Sequence, residues 1–398
     1  MRNALFFLAY SVSLLTACAS SHSDSNQPPP PDAGPPLTTW TTRADVFVSG
    51  HDVTNVDCRT GICRHNENVD MIQFGGADFL VHRTAYSQTL GPNSSLWIYK
   101  STDNGVTFPN VTTIQAPSDR DIRDPAFFTV NGELFMKALA RLPVDSSRDS
   151  NVDTESMIAH SSDCVNWSPF QVVAPHAWSF WRVKENAGVY YSAAYADGDT
   201  QVALFSSKDG LTWTQGAQIY GVSADTPLET ELTFFPSGKM LALVRMDGTD
   251  TDLLGDPSSG ARLRTKVCWA SPPYTTFDCH QELSPYRLDG PVSFFWQNRL
   301  FVIARKHLST GIRKRTALYE ITSGDGGGID DGSDVNIKEW GELPSAGDTS
   351  YAGIVPTSDH QFTTLYYSGD LDLDQAWVLA MFNLTDIWKA DLDFSKLN

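Results

Sequence analysis

Short apolar runs rich in Val, Ile, Phe, Tyr and Thr recur along the chain, cut by Gly, Asn and Asp. Runs of this kind between turn residues predict strands, and no long stretch with a 3.6-residue period competes with them. The runs fall into a repeating unit: a strand, a tight turn, and a second strand ending in a polar or basic residue. The copies are VDMIQFGGADFLVHR (Val69–Arg83), DPAFFTVNGELFMKALAR (Asp124–Arg141), FWRVKENAGVYYSAAY (Phe180–Tyr195), ETELTFFPSGKMLALVR (Glu229–Arg245), PVSFFWQNRLFVIAR (Pro291–Arg305) and YAGIVPTSDHQFTTLYY (Tyr351–Tyr367). Each is followed by a third strand: SLWIYKS, SMIAHSS, QVALFSS, RTKVCWAS, RTALYEI and WVLAMFN. A unit this small cannot bury both faces of its sheet alone, but units stacked radially can. The expected fold class is therefore all-β, a six-bladed β-propeller, with Thr38–Gly50 supplying the strand that closes the ring.

After three of the third strands comes a polar turn: KSTDNGVTF (Lys100–Phe108), HSSDCVNW (His160–Trp167) and SSKDGLTW (Ser206–Trp213). Asp and Ser side chains can bond the turn's backbone N–H groups while the last aromatic packs into the sheet. Asp103, Asp163 and Asp209 each stand alone, too few carboxylates for a calcium loop. These turns are expected to be structural.

Hairpin geometry says which residues meet. The start of a first strand and the end of a second lie at one edge, and in a propeller all such edges converge on one face. That face should gather Asp70 with Arg83; Arg123 and Asp124 with Lys137 or Arg141; Arg182 with Tyr195; Glu229 with Arg245; Pro291 with Arg305; and Tyr351 with Tyr366 or Tyr367. Charged groups so concentrated need partners or a ligand. Trp178, Phe180 and Trp181 (WSFW) are candidates for stacking on a sugar.

On the three polar turns, DIRDP (Asp121–Pro125), ETELTFFPSGKMLALVR, DGPVSFFWQNRLFVIAR (Asp289–Arg305), GDTSYAGIVP (Gly347–Pro356) and LYYSG, the chain resembles the sialidase superfamily over about Val69–Leu384. The polar turns match that family's Asp box, or BNR repeat. The resemblance implies a sugar carboxylate held by arginines, a tyrosine nucleophile polarised by a glutamate, and an aspartate as acid/base. Arg245 and Arg305 match two of the arginines and Glu229 the glutamate. Tyr351 or Tyr366 fits the nucleophile, and Asp70 or Asp124 the acid/base. The family's first arginine sits in an (F/Y)RIP motif that this chain lacks; Arg83 ends the first hairpin instead. The implied activity is exo-acting glycoside hydrolysis on an acidic or complex glycan.

Two other readings stay open. Asp70, the Arg123-Asp124-Pro125 triplet and Glu229 also resemble the three carboxylates of furanosidases and fructosidases. The mouth could instead belong to a glycan-binding propeller without catalysis. No GxSxG accompanies the scattered histidines, and the Gly-rich stretch Gly324–Gly332 reads as an acidic surface loop rather than a phosphate cradle.

The ends and the charge add location. Arg2, the apolar run Ala4–Leu15 and LTAC (Leu15–Cys18) resemble a bacterial lipoprotein signal that leaves Cys18 lipidated. Ala19–Pro36 is rich in Ser and Pro and reads as a tether. The expected organisation is a signal over 1–18, a tether over 19–37 and one propeller over 38–398. The protein is then extracytoplasmic and lipid-anchored to a bacterial, outer membrane. A net charge of −18 argues against nucleic acid as partner. Cys58 with Cys63, and Cys268 with Cys279, could form disulfides in an oxidising compartment, leaving Cys164 free. A carbohydrate partner, a monomer, and neither cofactor nor metal are expected.

Overall fold

The computed structural model describes residues 37–88, 93–116, 120–141, 154–196, 200–248, 264–283, 286–308, 312–324, 329 and 334–397. The signal segment with Cys18, the tether up to residue 36 and most of the Gly-rich acidic loop lie outside the described residues.

All the hairpins read from the pattern form, each as an antiparallel pair: His65–Phe74 with Ala77–Ala85, Asp121–Val130 with Glu133–Arg141, Trp178–Asn186 with Val189–Ala196, Pro227–Phe234 with Met240–Met246, Asp289–Trp296 with Arg299–His307, and Thr349–Pro356 with Gln361–Gly369. The blade count needs correction. Four hairpins grow into separate four-stranded blades, making a propeller of four blades rather than six. The first and last hairpins do not stand as blades of their own, because their strands merge into one eight-stranded sheet. The merger runs through a parallel bridge in which His65 pairs with Thr385. Sequence patterning reports each strand's own alternation but not which edges find each other, so the fusion was not legible.

Thr41–Val48 does supply a closing strand, lying antiparallel on Thr385–Asp393. One third strand was misplaced. WVLAMFN is not a strand: Trp377–Ala380 forms a short helix with Leu379 62% exposed. The true strand is the next segment, Thr385–Asp393, where Ile387, Ala390 and Leu392 are buried. Its charged residues hid the alternation.

Apolar side chains fill the gaps between neighbouring sheets. Phe127, Met136 and Ala138 pack against Phe79, Val81 and Ile98, and Phe294 meets Phe362 of the eight-stranded sheet and Phe394 just after its last strand. Burial of one such side chain contributes about 1.5–3 kcal/mol. The polar turns are local devices. Ser101 and Thr107 donate to the Asp103 carboxylate at 2.7 and 2.6 Å, and Gly105 N–H donates to Ser101 Oγ at 2.9 Å. Asp163 and Asp209 bind their own turns in the same way. Cys58–Cys63 and Cys268–Cys279 are disulfides, and Cys164 is free and buried.

One irregularity recurs and shapes the mouth. Every hairpin carries a register shift near the start of its first strand: Glu67/Asp70, Arg123/Ala126, Phe180/Val183, Pro227/Thr230, Asp289/Val292 and Ser350/Gly353. A bulge breaks the in–out alternation and re-aims a side chain. Asn68, Asp124, Gly290 and Tyr351 sit at these bulges with φ of +53°, +49°, +55° and +49°.

Candidate functional site

The bulged strand ends surround a cleft of about 450 Å³, within the range of small-ligand sites. Arg123, Asp124, Tyr195, Glu229, Arg245, Arg305 and Tyr351 line it, with Trp377 and Met381 of the short helical segment on its rim.

At its centre the Tyr351 hydroxyl donates to Glu229 Oε1 at 2.5 Å. Arg245 Nη1 donates to Glu229 Oε2 at 2.5 Å and to the Tyr351 oxygen at 3.0 Å. The Arg305 guanidinium lies 5.1 Å from the Tyr351 ring centre. The bulge and Gly290 make this packing possible: a Cβ at Gly290 would lie 2.7 Å from the Tyr351 ring. Burial, reinforced by Glu229, pushes the Tyr351 phenol well above its ordinary range, with Arg245 and Arg305 opposing. The group is therefore a neutral phenol whose proton already points at a carboxylate. It can transfer that proton to Glu229 as its oxygen bonds carbon, while the two guanidiniums stabilise negative charge on it.

Beneath the cleft is a buried charge network that sequence reasoning missed. Arg245 donates to both oxygens of Asp247 at 2.7 and 2.9 Å. Arg287 binds Asp247 and also Asp289, the latter at 2.7 Å. His307 lies 2.8 Å from Asp289, and Lys314 Nζ donates to His307 at 2.5 Å. Arg305 donates to Asp348 at 2.8 Å and to the Tyr367 hydroxyl at 2.7 Å. Asp289 is held well below the carboxylate range; burial works against this, but Arg245 and Arg287 outweigh it. The i, i+2 spacing of Arg245–Asp247 and Arg287–Asp289, which puts two side chains on one face of extended chain at a strand end, was the available signal.

Other expected site residues are placed elsewhere. Tyr366 is fully buried in the core and donates to Pro344 O at 2.9 Å, so it is not the phenol of the cleft. Adjacent residues in a strand face opposite ways, and Tyr367 instead of Tyr366 turns toward Arg305. Asp70 is buried, ion-paired to Arg182 and bonded to Phe127 N–H at 2.6 Å. The three furanosidase-like carboxylates therefore do not assemble around the cleft. Arg83 is fully buried, bound to Glu67 and to both oxygens of Asp121 at 2.9 and 2.8 Å, and does not reach the cleft. Arg182 also donates to Ala352 O at 2.7 Å. Trp181 is 3% exposed, edge-on to Tyr351 with ring centres 5.7 Å apart, so it supports the tyrosine and offers no face to a sugar. Phe180 is likewise buried. Arg123 lines the cleft and binds Gln88 O and Glu67.

Lys137 lies on the cleft floor, in a small cavity lined also by Asp124, Trp181 and Tyr351. It donates to Phe180 O at 2.9 Å, and no ion pair to it is seen among the described residues. Burial pulls its ammonium down from 10.5 to about 8, with Asp124 partly opposing. A lysine whose folded pKa is depressed costs stability below that value, and the cost fades as pH rises toward 10.5. Lys137→Met is therefore expected to raise unfolding stability by about 1–3 kcal/mol at pH 7. Denaturant melts at pH 7 and pH 10.5 should show the gain at the lower pH and little at the higher. Equal stability at both would remove the charge penalty from the account.

No family model matches this chain, and no curated protein matches it. Solved structures do. A protein of unknown function from Dyadobacter fermentans is similar at 15% identity and TM-score 0.64, covering 89% of this chain and 98% of that one. The intramolecular trans-sialidase from Ruminococcus gnavus, solved with oseltamivir carboxylate, is similar at 11% identity and TM-score 0.62, covering 91% and 99%. Trypanosoma rangeli sialidase, solved with sialic acid, is similar at 12% identity and TM-score 0.60; the match covers 89% of this chain and 59% of that longer one. At such identities the likeness is one of fold: the chain is a sialidase-like β-propeller.

Proposed function

We propose that the protein is an exo-acting glycoside hydrolase on an acidic or complex glycan, working through Tyr351. The observation that carries this is the 2.5 Å bond from the Tyr351 hydroxyl to Glu229, inside an open cleft and beside two guanidiniums. The Tyr351 oxygen attacks the anomeric carbon, and its proton passes to Glu229. The bond to the leaving oxygen breaks as Asp124 protonates that oxygen. Water then cleaves the tyrosyl–glycosyl bond, giving its proton to Asp124 while Glu229 returns the phenolic proton. Two displacements retain the anomeric configuration. A neutral phenol suits an anionic sugar, since it does not repel the substrate's own charge.

Arg123, Arg245 and Arg305 give the cleft positive character, which supports an acidic substrate. Arg245 and Arg305 are already bonded to Asp247 and Asp348 of their own chain, so a substrate carboxylate has fewer free donors to meet. This widens the candidates from sialosides to complex glycans that do not need a three-arginine clamp. The two disulfides support an extracytoplasmic placement, and the LTAC motif at Leu15–Cys18 supports a lipid anchor.

The test is a screen of the purified chain against sialosides, uronic-acid oligomers and arabinofuranosides, reading released sugar. Release from an acidic glycan, abolished by Glu229→Gln, is the expected result. Saturable binding without release from any of them would replace the hydrolase with a glycan-binding module.

A further inference from the structure

Away from the cleft, three acceptor atoms converge at the seam of the eight-stranded sheet. His65 begins the strand that pairs with Thr385, Glu67 lies two residues on, and Asp348 immediately precedes Thr349–Pro356. Each side chain offers one ligand atom, and the three atoms lie within 4.8 Å of one another in full burial.

Their other bonds show which atoms are left over. His65 Nδ1 lies 2.8 Å from Asn383 O, which can only accept, so Nδ1 carries a proton and points away from the two carboxylates. The His65 Nε2 faces Glu67 Oε2 at 3.4 Å, long for a hydrogen bond. Glu67 spends its other oxygen, Oε1, on Arg83 and Arg123, whose charge Asp121 also balances. Asp348 spends Oδ1 on Arg305 and Tyr367, and its Oδ2 is buried with no hydrogen-bond partner. One imidazole nitrogen and two carboxylate oxygens therefore converge on one buried point, where Asp348 Oδ2 meets no donor. A buried acceptor without a partner is costly, and Asp348 Oδ2 incurs that cost at this point.

We propose that His65, Glu67 and Asp348 hold a divalent transition-metal ion of the zinc class. The donor set is one imidazole and two carboxylates, which suits zinc better than magnesium or calcium. The Nδ1–H···O=C bond to Asn383 is the outer contact that orients metal-binding histidines. Ligands at about 2.0–2.2 Å from zinc lie about 3.3–3.6 Å apart, so the side chains need close by only about an ångström. The ion would tie the first hairpin to the last, clamping the join between chain ends. Through Asp348 it would also fix Arg305 beneath Tyr351. This inference does not depend on the proposed hydrolase activity.

The test compares the purified chain with His65→Asn, loaded with zinc chloride and dialysed. The asparagine amide can keep the bond to Asn383 O while deleting the Nε2 ligand. Elemental analysis should find about one zinc per wild-type chain and none in the variant, and zinc should raise the melting temperature of the wild type alone. Magnesium and calcium chlorides should leave it unchanged. If His65→Asn does not fold, Asp348→Asn carries the test and should weaken zinc binding at least about tenfold. His280, bonded to Asp278 and Asp334 on the surface, is the rival site; His280→Ala should leave the zinc count unchanged. A zinc-free wild type, or zinc lost only with His280, overturns the proposal and leaves a proton shared among the three acceptors.

Discussion

Tyr351→Phe is expected to reduce turnover by about 10³-fold or more while leaving the fold intact. The substitution removes one oxygen and keeps the ring that packs against Trp181 and Gly290. Glu229 retains its bonds from Arg245 and from Gly290 N–H at 3.3 Å, so no buried charge is stranded. The stability cost is that of two hydrogen bonds, the one donated to Glu229 and the one accepted from Arg245, about 1–3 kcal/mol in all. Tyr366→Phe is the matched control. It loses a single buried bond, to Pro344 O, and should turn over as the wild type does. The measurement is kcat and KM for both variants on the substrate identified by screening, beside their denaturant midpoints. Near-normal turnover in Tyr351→Phe would end the nucleophile assignment. A loss in both would mean that the core supporting the cleft, not the phenol, had been damaged.

The second large effect concerns stability. Asp289→Ala is expected to lower unfolding free energy by about 3–5 kcal/mol. Asp289 is 1% exposed and receives Arg287 at 2.7 Å and His307 at 2.8 Å, with Arg245 Nε at 3.4 Å. Removing the carboxylate leaves the Arg245 and Arg287 guanidinium groups buried with less countercharge. Burial penalises the charged carboxylate, yet Arg245 and Arg287 hold it ionised, so the negative charge is what the network uses. Asp289→Asn keeps the shape and loses the charge, and should fall between wild type and alanine. Guanidinium unfolding at pH 7 reads both. Because Arg245 also touches Glu229 and Tyr351, turnover should fall with stability in the alanine variant. An unchanged midpoint in Asp289→Ala would show that the network contributes nothing net.

Much of this protein is written locally. The six hairpins, the polar turns around Asp103, Asp163 and Asp209, both disulfides, and the gathering of Glu229, Arg245, Arg305, Asp124 and Tyr351 follow from alternation, turn residues and spacing. These features depend on neighbours within about twenty residues, or on the rule that hairpin ends share an edge. What failed was decided by chain segments far apart. Whether the first and last hairpins remain separate blades depends on a bridge between His65 and Thr385, and alternation within a strand is silent about its edges. The choice of Tyr351 over Tyr366, and the withdrawal of Asp70, Arg83 and Trp181 from the cleft, came from bulges that turn one residue out of register and from countercharges contributed by other strands. A side chain's period of two is a local property. Which face is buried, and which charge finds a partner there, is settled only when the sheets pack.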